Sequence, residues 1–263
     1  MTDRVAPAHV AITGAAGAIG GAIARAMRAT WPGVALELVD RDEEPMQRLA
    51  LELGHTAVTR VHVADLTALD ALPALIDDLA RDAVLDGLVN CAGVMRVQQL
   101  ASWQWSEAEA LLAIDLLAPL RLQDLVVRGM IERGRGVIVN VASMAGRVPL
   151  RGCAYYGAAK AGLAMASEIA RADLAAHGIR VVTVYPGPVR SALERGARDA
   201  YGGGGWLGRV APTGAPDELA RRIVRAVERD EPRVIYPGAY GVGWTAPNLS
   251  AWLALSYGPP PIS

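Results

Sequence analysis

Tyr156 and Lys160 stand four residues apart in a stretch whose pattern predicts a helix over 155–177, so their side chains share one helix face. A free tyrosine has a pKa near 10 and is a poor base at neutral pH. A neighbouring ammonium favours the phenolate. Lowering the phenol by about two to three units takes roughly 3–4 kcal/mol of differential stabilisation, part of which Lys160 can supply. Ser143 lies thirteen residues before Tyr156, with a hydroxyl suited to donating to an oxygen held beside the phenol. Tyr155 is the weaker candidate base, because Ala159 rather than a lysine follows it by four. A tyrosine and a lysine at helical spacing also describe a surface pair with no chemistry. The reading therefore leans on the rest of the chain.

A second element of chemistry sits near the start. An apolar run at 9–13 passes into TGAAGAIG, Thr13 to Gly20, and a helical pattern follows. Free backbone N–H groups and the positive end of a helix suit a pyrophosphate there. Gly14, Gly17 and Gly20, with Ile19 between them, let the backbone come close. On its own, the same turn is also a tight strand-to-helix connection. Asp40 ends the next apolar run, LELVD, twenty residues after Gly20. A carboxylate there accepts from both hydroxyls of an adenosine ribose and repels a 2′-phosphate. That favours NAD over NADP as cofactor. Arg41 pulls the other way, since its guanidinium could pair with such a phosphate. An oxidised nicotinamide would add positive charge beside Tyr156.

The elements that must position these residues alternate. Strands are expected at 9–13, 35–39, 60–64, 87–90, 137–141, 181–185 and 234–236. Helices are expected at 19–30, 45–53, 69–81, 106–133, 155–177 and 217–229. Strand-then-helix order with near-continuous apolar strands implies an α/β fold, a doubly wound parallel sheet of Rossmann type with about seven strands and helices on both faces. The 263 residues are read as one unit, with neither an internal repeat nor a linker that splits them. A loop over 195–216 carries four consecutive glycines, and the tail from Pro247 shows no clear period.

Composition excludes several function classes. Net charge is −1 with scattered basic residues, which speaks against nucleic acid as a partner. No apolar run reaches eighteen residues, and residues 1–7 lack a secretory pattern, so the expectation is a cytoplasmic protein with no spanning segment. Cys91 and Cys153 are read as reduced thiols, and no metal site is expected.

With these motifs in order, the chain resembles the short-chain dehydrogenase/reductase family, in its smaller single-domain branch. The resemblance covers Val10 to about Ser191. TGAAGAIG matches the family's TGxxx[A/G]xG, with Ala18 where Gly is commoner. Asp65 and Leu66 resemble its adenine contact. Asn90, Cys91, Ala92 and Gly93 resemble NNAG, with Cys91 replacing an Asn. Tyr156 to Lys160 is YxxxK. Pro186, Gly187, Pro188, Val189, Arg190 and Ser191 resemble PGxVxT. The resemblance implies that Asp65, Leu66, Asn90, Ala92, Gly93, Pro186, Gly187, Val189 and Ser191 join the cofactor site, and that Lys160 also holds the nicotinamide ribose. It implies hydride transfer with Ser143, Tyr156 and Lys160 as the catalytic set, and a homotetramer or homodimer. Asp115 departs from the pattern. It stands where the family places an Asn that accompanies a helix distortion and supports a proton relay to the lysine, so it joins the catalytic candidates.

The substrate should bind beyond the carboxyl ends of the strands. Candidate pocket residues are Val94, Met95, Arg147, Leu150, Cys153, Pro188 and Trp206, with a lid at about 191–215 and a tail at about 244–263. Their types suggest a mainly apolar secondary alcohol or ketone, although Arg96 or Arg147 could recognise a carboxylate. Trp244, Trp252 and Tyr257 in the tail could pack on a second subunit, cover the site or touch a membrane. Two other functions stay open: an NAD-binding regulator without turnover, and an epimerase or dehydratase that recycles its hydride.

Overall fold

The computed structural model describes residues 6–202 and 212–261. Seven strands form one parallel sheet: β1 (His9–Thr13), β2 (Ala35–Asp40), β3 (Thr59–Val63), β4 (Gly87–Asn90), β5 (Gly136–Val141), β6 (Ile179–Pro186) and β7 (Arg233–Tyr236). Their order is β3-β2-β1-β4-β5-β6-β7. The chain winds outward from β1 to β3, then returns to β4 and winds the other way. The crevice between β1 and β4 is thus the topological switch point, where α/β sheets place ligands.

Strand alternation explains the two layers. Val10, Ile12, Val137 and Val139 face a core completed by α1 (Ala18–Thr30), α2 (Glu43–Glu52) and α8 (Pro216–Arg229). Ala11, Leu88, Ile138 and Val181 face the opposite core, built with α3 (Leu72–Leu79), α5 (Ala118–Arg133) and α6 (Ala154–Leu174). Both faces are apolar because both are covered.

Two expectations are corrected, and the tail gains helices that the sequence left unassigned. The helix over 106–133 is not continuous. It runs as α4 (Trp105–Leu112), a π-helical segment Ala113–Leu117, and α5. Pro119 has no N–H to give to the carbonyl of Asp115, four residues earlier, so regular α-helical bonding cannot pass this point. The segment read as loop begins as helix α7 (Ala192–Ala200), started by Ser191, whose Oγ accepts from the Glu194 N–H at 3.0 Å. The tail forms α9 (Gly241–Thr245) and α10 (Pro247–Tyr257). Trp206 and Gly203–Gly205, part of the expected lid, lie outside the described residues.

Under α3, the sheet buries a charged cluster. Glu37 is fully buried and accepts from His9 Nε2 and His62 Nε2, each at 2.7 Å, and from Arg60 Nη1 at 2.8 Å. The other ring nitrogens face acceptors too, Ala83 O at 3.0 Å for His9 and Asp78 Oδ2 at 2.9 Å for His62. Each ring donates at both nitrogens only as an imidazolium. Hydrogen bonds to Glu37 raise both histidines above their ordinary value. Burial alone would push Glu37 up, but the bonds from His62, His9 and Arg60 outweigh it and bring the carboxyl down to about 2. The histidine contribution is complete below 6.5 and is lost as pH rises through the raised values. The Glu37 contribution is present above 4.5 and fades as pH falls toward about 2. Wild-type melting temperature should therefore fall from about pH 6 to about pH 9 more steeply than that of His62→Asn. Parallel curves would show that the cluster does not control this dependence.

Candidate active site

The switch-point crevice is closed at its base by Thr13. Its Oγ1 accepts from the N–H groups of Cys91 and Ala92, at 3.1 and 3.2 Å, and donates to Val89 O at 3.3 Å. The end of β1 is thereby tied to the loop after β4. Gly14 follows with φ +69°, and a Cβ there would stand 2.7 Å from Ala92 Cα. The turn can pass so close to the loop only without a side chain. Gly17 begins α1 with no side-chain cap, so the first-turn N–H groups of that helix, Ile19 and Gly20 among them, meet no capping side chain. This cradle fits a pyrophosphate.

Asp40 closes the outer side of the turn. Its Oδ2 accepts from Ala16 N–H at 3.0 Å and its Oδ1 from Arg41 N–H at 2.8 Å. The carboxylate therefore orders the turn and also stands at the strand end expected for a ribose. Arg41 is exposed, its Nε 3.9 Å from Asp42. Asp65 is exposed and caps its own turn through Thr67, whose backbone N–H holds the carboxyl below its usual value, while Leu66 is buried against the core.

Asn90 serves the site differently from expectation. Its side chain turns inward, donating to Asn140 Oδ1 at 2.8 Å and Pro119 O at 3.3 Å. Asn140 continues to Ser167 at 2.8 Å and Gln123 at 3.1 Å. This buried chain locks β4, β5, α5 and α6 behind the crevice. Asn140, Ser167 and Thr13 were not singled out from sequence, and only Thr13 had a signal there, as the first residue of the glycine motif.

The catalytic candidates converge. Tyr156, Lys160 and Ser143 are all buried, at 7%, 5% and 8% exposure. Ser143 Oγ accepts from Ala145 N–H at 3.1 Å and lies 3.5 Å from Pro186 O. Lys160 Nζ sits 5.9 Å from the centre of the Tyr156 ring and donates to Val141 O at 3.2 Å. It also pairs with Asp115 Oδ1 at 3.2 Å. Burial opposes the charge on Lys160, but the Asp115 carboxylate raises the lysine above its ordinary value. Burial likewise raises Asp115, with Lys160 opposing. Within the chain's own groups the Tyr156 phenol is raised rather than lowered, by burial first. Lys160 and the Ser143 hydroxyl offset this in part, and Asp115 adds to it. The sequence asks Lys160 and an oxidised nicotinamide together to favour the phenolate; the lysine by itself does not, because burial, and then the Asp115 anion, outweigh it.

Of the pocket candidates, Met95 and Cys153 join Tyr156, Val97, Trp103 and Tyr201 in one apolar cluster. Tyr201 closes it from α7, donating to Arg151 O at 2.6 Å with its oxygen 3.4 Å from the Cys153 thiol, which burial raises. Tyr155 packs edge-on against Trp103, ring centres 5.1 Å apart. Val94 is exposed and its N–H is held by Asp115 at 3.1 Å. Pro188 accepts from Gly214 N–H at 2.8 Å, which with the bridge from Val189 to Gly214 ties the strand exit down. Leu150 is exposed. Arg147 does not face the cluster; it stacks over Trp244 at 4.8 Å, and Arg96 is paired with Glu107. Trp244 packs on Tyr185, whereas Trp252 and Tyr257 are exposed and touch each other. Among the described residues, no group of three or more His, Cys, Asp or Glu side chains is placed to hold a metal, and no helix is long and apolar enough to cross a membrane.

Comparison with known proteins agrees with this geometry. The family model described as short chain dehydrogenase matches residues 8–202. The chain is 34% identical over 218 residues to a D-threitol dehydrogenase of Mycolicibacterium smegmatis, covering 81% of this chain and 83% of that protein. It is 31% identical over 198 residues to a galactitol 2-dehydrogenase (L-tagatose-forming) of Cereibacter sphaeroides, covering 74% and 77%. Among solved structures, a short-chain dehydrogenase from Sphingobium yanoikuyae in complex with NADPH superposes with a TM-score of 0.79 at 28% identity, covering 95% of each chain.

Replacing Thr13 by Val should leave the Cys91 and Ala92 N–H groups without their acceptor. The expected loss is roughly 1–3 kcal/mol of unfolding free energy, with weaker dinucleotide binding. Unchanged denaturant midpoint and unchanged affinity would show that Thr13 does not hold the crevice.

Proposed function

Since this chain belongs to the short-chain dehydrogenase family and is an NAD(P)-dependent oxidoreductase of CH–OH groups, we propose that it moves a hydride between NAD and a mainly apolar secondary alcohol or its ketone. One observation carries the reading: a buried phenol, ammonium and serine hydroxyl meet at the carboxyl ends of β5 and β6, beside the glycine cradle. The dinucleotide supplies the hydride acceptor or donor. Gly14, Gly17, Ile19 and Gly20 would hold its pyrophosphate, Asp40 its adenosine ribose, and Asp65 and Leu66 the adenine side. Ala92 and Gly93, the segment Pro186 to Ser191, and Lys160 would hold its nicotinamide half.

The chain's own groups then handle the proton. Ser143 donates to the substrate oxygen and fixes it against Tyr156. Tyr156 takes the hydroxyl proton in oxidation and returns it in reduction. Lys160 favours the phenolate and is anchored by Val141 O. The apolar cluster of Met95, Val97, Trp103, Cys153 and Tyr201 beside Tyr156 supports an apolar substrate. We further propose self-association as a homodimer or homotetramer, supported by the exposed apolar pair Met165 and Ile169 on α6.

Two observations favour other choices within the same reaction. Two curated relatives are named for polyols. Arg41 is exposed beside Asp40, and solved neighbours are in complex with NADPH or NADP. A panel of aryl and alkyl secondary alcohols against tetritols and hexitols, each with NAD and NADP, separates these readings. The expected result is higher kcat/KM with NAD and an apolar alcohol; preference for a tetritol, or for NADP, would overturn the corresponding half. In the same assay Tyr156→Phe should lose about 10²–10⁴-fold in kcat while binding the dinucleotide as wild type does. Retained turnover would remove Tyr156 from the mechanism, and the absence of net dinucleotide reduction with every alcohol would favour a regulator or a hydride-recycling enzyme.

A further inference from the structure

The reaction proposed above leaves one buried charge without a role. Asp115 is fully buried at the centre of the π-helical segment. Its Oδ1 takes the Val94 N–H at 3.1 Å and lies 3.2 Å from Lys160 Nζ, while its Oδ2 has no hydrogen-bond partner among the described residues. The pair presses on the loop after β4: a Cβ at Gly93 would stand 2.4 Å from Asp115 Oδ1 and 3.1 Å from Lys160 Nζ. A carboxylate in a site this dry carries a desolvation cost that an amide of the same shape would avoid. An amide would also keep an oxygen for the Val94 N–H. Shape and hydrogen bonding alone therefore do not call for a charge.

We propose that Asp115 is a positioning residue that acts through Lys160, holding the ammonium as half of a neutral buried ion pair so that Tyr156 faces a compensated lysine instead of a bare cation. This rests on the assignment of Tyr156 as the proton-transfer group. The other titratable groups around the pair do not replace the effect. Cys91, after β4, is pushed up to about 12 by burial and stays a neutral thiol, and Cys153, at the start of α6, is raised the same way. Ser143, after β5, is uncharged. Asp115 is then the anion that sets how strongly Lys160 can draw the phenol toward phenolate. The consequence is a base that works at more alkaline pH than a lysine–tyrosine pair alone would give, and that depends more on positive charge brought by the oxidised dinucleotide.

Asp115→Asn tests this, with Asp115→Ser as the second variant should the amide fail to fold. Removing the anion favours the phenolate, so the acidic limb of kcat/KM for alcohol oxidation should move to lower pH by about one unit. A readout without turnover accompanies it. Tyrosinate absorbance of the dinucleotide-free protein is titrated, with the Tyr156→Phe spectrum subtracted at each pH for the same background. The Tyr156 signal should move in the same direction by a similar amount. A folded variant whose titration and pH–rate curves both superimpose on wild type would overturn the proposal and leave Asp115 a packing residue. If Tyr156→Phe retains turnover, the mechanism fails separately; the absorbance titration still decides what Asp115 does to the phenol.

Discussion

The structure turns on the burial of three ionisable groups at one edge of the sheet. Asp115, Lys160 and Tyr156 come from two helical elements and meet where β4, β5 and β6 end. Neither Asp115 nor Lys160 is tolerable there as an unpaired charge, because a lone charge in a dry site is costly. Their mutual arrangement requires several local departures from regularity. The π-helical segment places Asp115, Gly93 leaves room for the pair, and the free Val141 carbonyl at the strand end accepts from Lys160. Each is a small irregularity that has a reason only in the presence of the others. A π turn inside a long helix is a common mark of a functional site, and here the cause is visible in Pro119.

Two buried polar systems in this fold share a design and differ in setting. The Glu37 cluster saturates its carboxylate with three donors, and the outcome is a strongly held charge under α3. Asp115 keeps one oxygen without a hydrogen-bond partner among the described residues and neighbours a phenol. Saturation fixes protonation for stability, and incomplete saturation leaves the neighbouring groups responsive to whatever charge enters the crevice. The chain Asn90–Asn140–Ser167 stands between these extremes, a neutral brace that keeps the elements around Lys160 in register.

Much of this was legible from the sequence. The seven strands could be read because doubly buried strands are near-continuous apolar runs, and their observed ends differ by at most two residues. The site motifs could be read because each ends a strand or begins a helix. What escaped had weaker local signals. Helix α7 is polar and interrupted by Gly196, although Ser191 and Glu194 form the S-x-x-E start pattern that would have marked it. Helix α10 spreads its apolar residues around its circumference instead of gathering them on one face, so it has no period to find, although Pro247 and Gly258 bracket it. Arg147 looked like a pocket residue by its position after Ser143, and only tertiary packing turns it onto Trp244. The raised phenol could not be foreseen, since it depends on how deeply Tyr156 is buried and on a carboxylate forty-one residues earlier.

The central claim is that a dry phenol coupled to a compensated lysine responds to charge entering the crevice. Proton release measures this directly. Calorimetric binding of oxidised dinucleotide, repeated at about pH 8.5 in buffers of different ionisation enthalpy, gives the number of protons lost on binding. A dry phenol drawn toward phenolate by the bound cation should give net release in the wild type and none in Tyr156→Phe. Binding with no proton change in either protein would contradict it.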